Sequence, residues 1–202
     1  MELERRCVLI ESRKRFSVRH MAVTGMLGAV SVVLGMTPLG FIPVGPTNAT
    51  IMHIPVIIGA IVEGPIVGML VGLIFGIFSM IRSVTTPTPV SFVFWNPLVA
   101  VLPRILIGLV SYYIYKAAMK TTKNETVSLG IAGALGTLAN TVGVLGMVYV
   151  LYAKEFVGAL GLASDNAFKV IASIGITNGL PEMFVAMIIV TAAVKGIKRI
   201  KR

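Results

Sequence analysis

Residues 39–80 read LGFIPVGPTNATIMHIPVIIGAIVEGPIVGMLVGLIFGIFSM. Apolar helical runs are interrupted here by a charge-free, Pro- and Gly-rich hinge that carries Asn48, Thr50 and His53. Polar groups beside a broken helix in lipid mark a ligand pocket, because hydrocarbon offers neither the backbone nor the side chains a hydrogen-bond partner.

That reading requires a membrane, and composition supplies it. Hydrophobic residues make up 56% of 202 residues and charged residues 13%, with a mean hydropathy of +0.92, far from the balance of soluble domains. At about 20 residues per span, six spans with short loops consume the chain. Residues 1–202 are therefore read as one all-α membrane domain, a six-transmembrane-helix bundle with long outer loops.

The formal charge of +10 does not indicate nucleic acid, because the bases are segregated. Six arginines and lysines precede the first apolar run, Lys195, Lys198, Arg199, Lys201 and Arg202 follow the last, and Lys116, Lys120 and Lys123 occupy a middle connection. Bases concentrate on the cytoplasmic side, so both termini and that connection are placed inside, and the number of spans is even. Residues 1–16, MELERRCVLIESRKRF, lack a signal-peptide apolar core and cleavage site and read as a basic cytoplasmic lead-in. The lone Cys7 forms no internal disulfide.

Apolar runs and their punctuation predict helices at about 17–36, 50–62, 65–81, 98–118, 127–152 and 168–194. The second is too short to cross upright and is expected to start unwound, with Pro43 and Pro46 holding the preceding chain extended. Glu63-Gly64-Pro65 makes a tight turn, and Pro65 opens the next helix. The stretches 83–97 (SVTTPTPVSFVFWNP) and 153–167 (AKEFVGALGLASDNA) are read as long outer loops, and loops of that length tend to carry function.

Gly64, Gly68, Gly72 and Gly76 recur every four residues, so they share a helix face on which another backbone can approach closely. Packing within the bundle is the expected use. Gly136, Asn140 and Gly143 thin one side of the fifth helix. On the first helix Gly25 and Ala29, with Ala22 and Gly28 nearby, allow either packing or docking to another membrane protein.

Ionisable groups in a span each need a partner or a task. Arg104 and Glu182 lie well inside their helices, and two uses stay open for them: pairing with each other, or binding a charged substrate group. Arginine suits a carboxylate because its planar fork makes two parallel hydrogen bonds. Asn178 lies one turn before Glu182 on the same face. Arg82 either snorkels to the outer interface or meets a ligand. Asn96 and Asn140 add amides that both donate and accept. Trp95 and Tyr112, Tyr113 and Tyr115 fit aromatic belts, although Trp95 sits beside Phe94 and Asn96 in the long outer loop. His53 has no second His or Cys at metal spacing, and His20 lies at the cytoplasmic edge, so no metal is expected. Phosphate-loop, metalloprotease and nucleophile-elbow motifs are missing, and neither an enzyme nor a bound cofactor is expected.

The order of the basic start running into SVRHMAVTGMLGAVSVVL, the hinge IPVGPTNATIMHIPVIIGAIVEGP, then LPRILIGLVSYYIY and NGLPEMFVAMII resembles the substrate-binding S components of energy-coupling-factor vitamin transporters over nearly the whole chain. The hinge and TPTPVSFVF look most like the pantothenate-type members; riboflavin- and folate-type members share much of the pattern. The resemblance implies a bacterial cell-membrane protein that binds its vitamin in an outward pocket capped by outer loops. It also implies partners, namely a membrane coupling subunit and two ATPases that use ATP in this chain's stead. Family members contact the coupling subunit through small residues on the first helix, often AxxxA, matched here by Gly25-xxx-Ala29 with Ala22 as the other candidate. Substrate contacts are then expected from Arg104 or Arg82 to a carboxylate and from Asn48, Thr50, His53, Asn96, Asn140, Asn178 and Glu182 to the remaining polar groups, with Trp95 and Phe94 as a cover. A self-sufficient secondary transporter is the competing reading, for which Glu182 is the one acidic candidate.

Overall fold

The computed structural model describes residues 17–37, 40–44, 47–161 and 166–200, with residues 41–44 and 47–49 described by backbone alone. The basic lead-in at 1–16 lies outside the described residues. Helix α1 (Val18–Met36) opens with a capping box: the Ser17 hydroxyl accepts from the Arg19 N–H at 3.3 Å, and His20 Nδ1 accepts from the Ser17 N–H at 3.2 Å, satisfying donors a helix start leaves orphaned.

The hinge is an antiparallel ribbon, β1 (Phe41–Val44) and β2 (Thr47–Thr50), with Phe41 opposite Thr50 and Val44 opposite Thr47. The chain before the helix is extended, as expected, and regular helix begins at Ile54 rather than at about 50; the short ribbon leaves the class all-α. A short edge strand accommodates Pro43, whereas a helix interior does not. Helix α2 (Ile54–Glu63) follows, with Pro55 in its first turn. Eight of its residues, Ile54 through Ile61, are buried. Its sequence is apolar on every side, and such a helix is stable only when surrounded.

Gly64 has φ 104°, a conformation other residues adopt only at a cost, and it turns the chain directly into α3 (Pro65–Thr85). The stretch expected to be a loop after α3 carries a 3-10 turn, Ser91–Trp95, and a single helical turn, Pro97–Ala100. Helix α4 (Leu102–Thr122) ends on Lys123 at φ 51°. Asn124 then caps α5 (Glu125–Ala159) by accepting from the N–H groups of Thr126 and Val127. The expected end of that helix, Tyr152, is a kink (φ −139°, ψ 22°), beyond which residues 153–159 are helical and not loop. Helix α6 (Ala167–Ile200) contains Pro181 and extends past 194 into the basic tail.

Among the described residues five segments, α1, α3, Pro97–Thr122, α5 and α6, are long and apolar enough to cross a membrane; α2, at 10 residues, is not. The glycine ridge packs inside the bundle. A Cβ on Gly68 would lie 2.5 Å from that of Ala60, one on Gly76 would lie 2.8 Å from the Val101 Cα, and one on Gly72 would strike the backbone carbonyl of Arg104. Gly64 is separate: a Cβ there meets nothing within 4 Å, and its role is the turn. Ion pairs gather at one end of the bundle. Arg19 meets Glu63 at 2.6 Å, and Lys198 bonds both Glu125 and, at 3.1 Å, the Tyr115 hydroxyl. The ribbon and the 3-10 turn lie at the other end.

Candidate functional site

At the ribbon end the helices line a half-open cavity of about 330 Å³. Helix α3 contributes Phe75, Ser79, Arg82, Ser83 and Thr86, and the following segment contributes Thr88, Ser91 and Phe94. Thr50 and Met52 close the ribbon side, Arg104 enters from α4 and Asn140 from α5. A second cleft, about 370 Å³ between α5 and α6, is walled by Leu138, Val142, Leu145, Phe168 and Ile176 among others and carries no charged group. Of these two, the first is the one suited to orient a polar molecule, since a binding site needs a few placed polar groups in an apolar wall.

Arg104 is 6% exposed. Its Nη1 donates to the Val99 carbonyl at 2.7 Å, and its guanidinium carbon lies over two rings, 5.6 Å from the centroid of Phe75 and 5.2 Å from that of Phe94, within the range of cation–π attraction. Its Nε–H has no partner among the described residues. A buried donor left unmade is costly, so this edge is set up for an acceptor that enters the cavity. The Asn140 Oδ1 is likewise buried and unpartnered, and Asn140 lines the same cavity. Gly72 explains the placement of the cation: without a side chain there, α3 reaches the backbone of Arg104 itself.

Arg104 and Glu182 form no ion pair among the described residues. The Glu182 Oε1 instead accepts from the Thr50 backbone N–H at 2.5 Å and its hydroxyl at 3.4 Å, which ties the end of β2 to α6. Glu182 does not line the cavity, and neither does Asn178, which lies one turn before it. His53 is fully buried at the start of α2. Its Nε2 lies 2.9 Å from the Thr137 hydroxyl, whose own hydrogen goes to the Gly133 carbonyl; the hydroxyl therefore accepts, and Nε2 carries the proton. His53 thus joins α2 to α5 below the cavity.

Arg82 lines the cavity and donates from Nη1 to the Gly35 carbonyl in the last turn of α1. Trp95 is 58% exposed and Asn96 faces away, so the cavity wall from this segment is Phe94. The Asn96 Oδ1 caps the following turn by accepting from the Leu98 N–H at 3.0 Å, and its Nδ2 donates to the Tyr152 hydroxyl at 3.2 Å. The backbone of Asn48 lies in β2 opposite Pro43, with its side chain outside the described part. Thus Thr50, Arg82, Arg104 and Asn140 come together, while His53, Trp95, Asn96, Asn178 and Glu182 do not join them. Sequence reading passed over Ser79, Ser83 and Thr86, although with Arg82 they recur at helical spacing on an otherwise apolar helix, a legible polar stripe. On α1, Ala22, Gly25 and Ala29 are exposed and a Cβ on Gly25 meets nothing within 4 Å, whereas Gly28 packs on Ile74.

A bundle of apolar helices around a ligand-sized cavity with a buried cation in its wall is the architecture of a membrane protein that handles a small polar molecule. The family described as ECF transporter, substrate-specific component matches residues 19–194, and the chain belongs to that family. It is a multi-pass protein of the bacterial cell membrane and a component of a transporter, a class of protein that is not an enzyme. It is 29% identical over 202 residues to the Pantothenic acid transporter PanT of Lactococcus lactis subsp. cremoris, covering 92% of this chain and 97% of that protein. It is also 29% identical over 185 residues to the Pantothenate transporter PanT of Leuconostoc mesenteroides subsp. mesenteroides, covering 86% of this chain and 89% of that one.

Proposed function

We propose that this protein captures pantothenate from outside the cell in the Arg104 cavity and delivers it with a separate membrane coupling subunit and two ATPases. The observation that carries the reading is the unpartnered Nε–H of buried Arg104, a cationic donor held over Phe75 and Phe94. Pantothenate presents a carboxylate for that group, an amide for Asn140, and hydroxyls for the Ser and Thr side chains at the end of α3. The likeness to two pantothenate transporters supports the same substrate. In this reading α2 and the ribbon together make the sixth crossing segment, since α2 alone rises only about 15 Å against a hydrocarbon core of about 30 Å. The ion-paired end, where the bases gather, is cytoplasmic, with both termini on that side. The exposed Ala22, Gly25 and Ala29 face of α1 receives the coupling subunit through close helix contact.

Glu182 is engaged by Thr50, which speaks against its serving as the ion-coupling carboxylate of a self-sufficient carrier. Titrating the purified protein with radiolabelled pantothenate, folate and riboflavin tests the substrate. Saturable binding of pantothenate alone is expected, and its absence would overturn the assignment. Uptake by liposomes holding this chain without ATPases would instead establish the secondary carrier.

A further inference from the structure

The second cleft, about 370 Å³ between α5 and α6, has no part in pantothenate binding. Its walls follow one face of each helix, with Leu138, Val142 and Leu145 on α5 and Phe168, Ile176 and Leu180 on α6. Both helices are long and apolar enough to cross a membrane. Val142, Phe168, Ile176 and Leu180 are 62%, 67%, 61% and 50% exposed, so the cleft opens toward the bilayer and not into the bundle. The Thr141 hydroxyl in its wall already donates to the Thr137 carbonyl at 3.2 Å. Water finds too few polar partners in such a place, and an empty slot would forfeit the dispersion contacts of every atom that lines it.

Depth and width select the occupant. Along α6 the lining runs from Phe168 to Met183, a rise of about 22 Å, and it starts at the end of the bundle away from the Lys198 ion pair. Half of a hydrocarbon core is about 15 Å, so the cleft is deep enough to take a chain from the interface to the mid-plane. A helix of that length, about 10 Å across, displaces several times the volume of the cleft. Nor can a helix sink between α5 and α6, which touch along the floor: a Cβ on Gly175 would lie 3.0 Å from the Leu145 side chain, and one on Gly179 would lie 3.5 Å from that of Thr141. A single hydrocarbon chain fits along the seam.

The mouth suits a headgroup. Tyr149 and Phe168 meet edge-on there at 5.9 Å, as aromatic rings do at a membrane interface. Lys169 is exposed and falls on the same side of α6 as Ile176 and Leu180. It makes no ion pair among the described residues, and its ammonium complements a phosphodiester.

We propose that the α5–α6 cleft is a phospholipid site, in which one acyl chain lies along the seam past Gly146 and the headgroup phosphate meets Lys169. Placing that lipid in the outer leaflet rests on the orientation proposed above; the seam itself does not. Ile171, in the wall of the cleft, belongs to the same buried cluster as Val93 and Val99, so the lipid braces α5 and α6 behind the segment that carries Phe94.

Native mass spectrometry of the full chain, released from nanodiscs of palmitoyl-oleoyl phosphatidylglycerol, tests this, with pantothenate affinity measured on the same samples. The unaltered protein is expected to keep one lipid. Gly146→Leu enters the cleft where a Cβ meets nothing within 4 Å, and is expected to lose that lipid with folding and pantothenate affinity unchanged. Lys169→Gln is expected to lower retention about fivefold; unchanged retention would overturn the headgroup contact. No retained lipid in the unaltered protein, or equal retention by Gly146→Leu, would overturn the site and leave the pantothenate assignment standing. Lipid lost on Gly146→Leu from a protein that never binds pantothenate would overturn that assignment alone. A dimer dissolved by Gly146→Leu at constant lipid count would overturn the phospholipid in favour of a second copy of the chain. Should Gly146→Leu fail to fold, Val142→Trp, at a position 62% exposed, fills the same cleft and is read in the same way.

Discussion

The Arg104 guanidinium is held by its Val99 hydrogen bond and two aromatic rings before any ligand arrives, so it is positioned in advance of binding. Preorganisation lowers the ordering cost of binding, and a hydrogen bond between charged partners contributes about 1.5–3 kcal/mol. Arg104→Gln is accordingly expected to weaken pantothenate by about ten- to a hundredfold or more in equilibrium binding, with the protein still folded. Arg104→Lys restores charge without the planar fork and is expected to recover only part of the loss; full recovery would show that charge alone matters. His53 makes a contrasting case. Thr137→Val removes the acceptor for its Nε2–H and strands a buried donor, which costs about 1–3 kcal/mol. Thermal unfolding in detergent is expected to show that loss, with pantothenate affinity changed little because His53 does not line the cavity.

At the scale of elements, the ridge on α3 and the 3-10 turn decide where the cavity lies. Gly72 lets α3 touch the Arg104 backbone, so Gly72→Ala forces the two helices apart. Overpacking of this kind costs about 1–3 kcal/mol, and here it also shifts the cation. Lower thermal stability and weaker pantothenate binding are expected together; a stable variant with unchanged affinity would show that Arg104 does not depend on this contact. The kink at Tyr152 serves the opposite wall. Its hydroxyl accepts from Asn96 and its ring meets Phe92 edge-on at 5.9 Å, which holds the segment that carries Phe94 over Arg104. Helix periodicity in the sequence shows that the apolar run pauses near 152, but an end and a kink look alike in such a pattern. The side-chain contacts from Asn96 and Phe92, more than fifty positions earlier, distinguish them.

For the whole molecule, the bundle separates two tasks. One end is fastened by the Arg19–Glu63 pair and by Lys198 with Glu125 and Tyr115; the other holds the cavity. Helix α1 runs between them and exposes a small-residue face. Gly25→Leu places a bulky group where nothing lies within 4 Å, so folding and pantothenate binding by the isolated chain are expected to stay as they are. Copurification with the coupling subunit, and ATP-driven uptake in liposomes that hold the full complex, are expected to fall sharply. Unchanged uptake would move the docking face elsewhere.

Membrane insertion, the segregation of bases, the turn at Gly64-Pro65 and the smooth face of α3 were all decided by the sequence itself. Each follows from transfer free energy, charge placement or the 3.6-residue period, quantities that act along a short stretch of chain. The use of each polar side chain was not decided there. Glu182 and Thr50 are 132 positions apart, and His53 and Thr137 are 84 apart; which polar groups find each other, and which remain for a ligand, depends on how six helices pack. The tertiary structure gives Asn96, Glu182 and the Nε2 of His53 protein partners away from the cavity lining. It left Arg104 and Asn140 with unmatched polar atoms facing one cavity, because close packing around α2 and the glycine ridge leaves no protein group there to meet them.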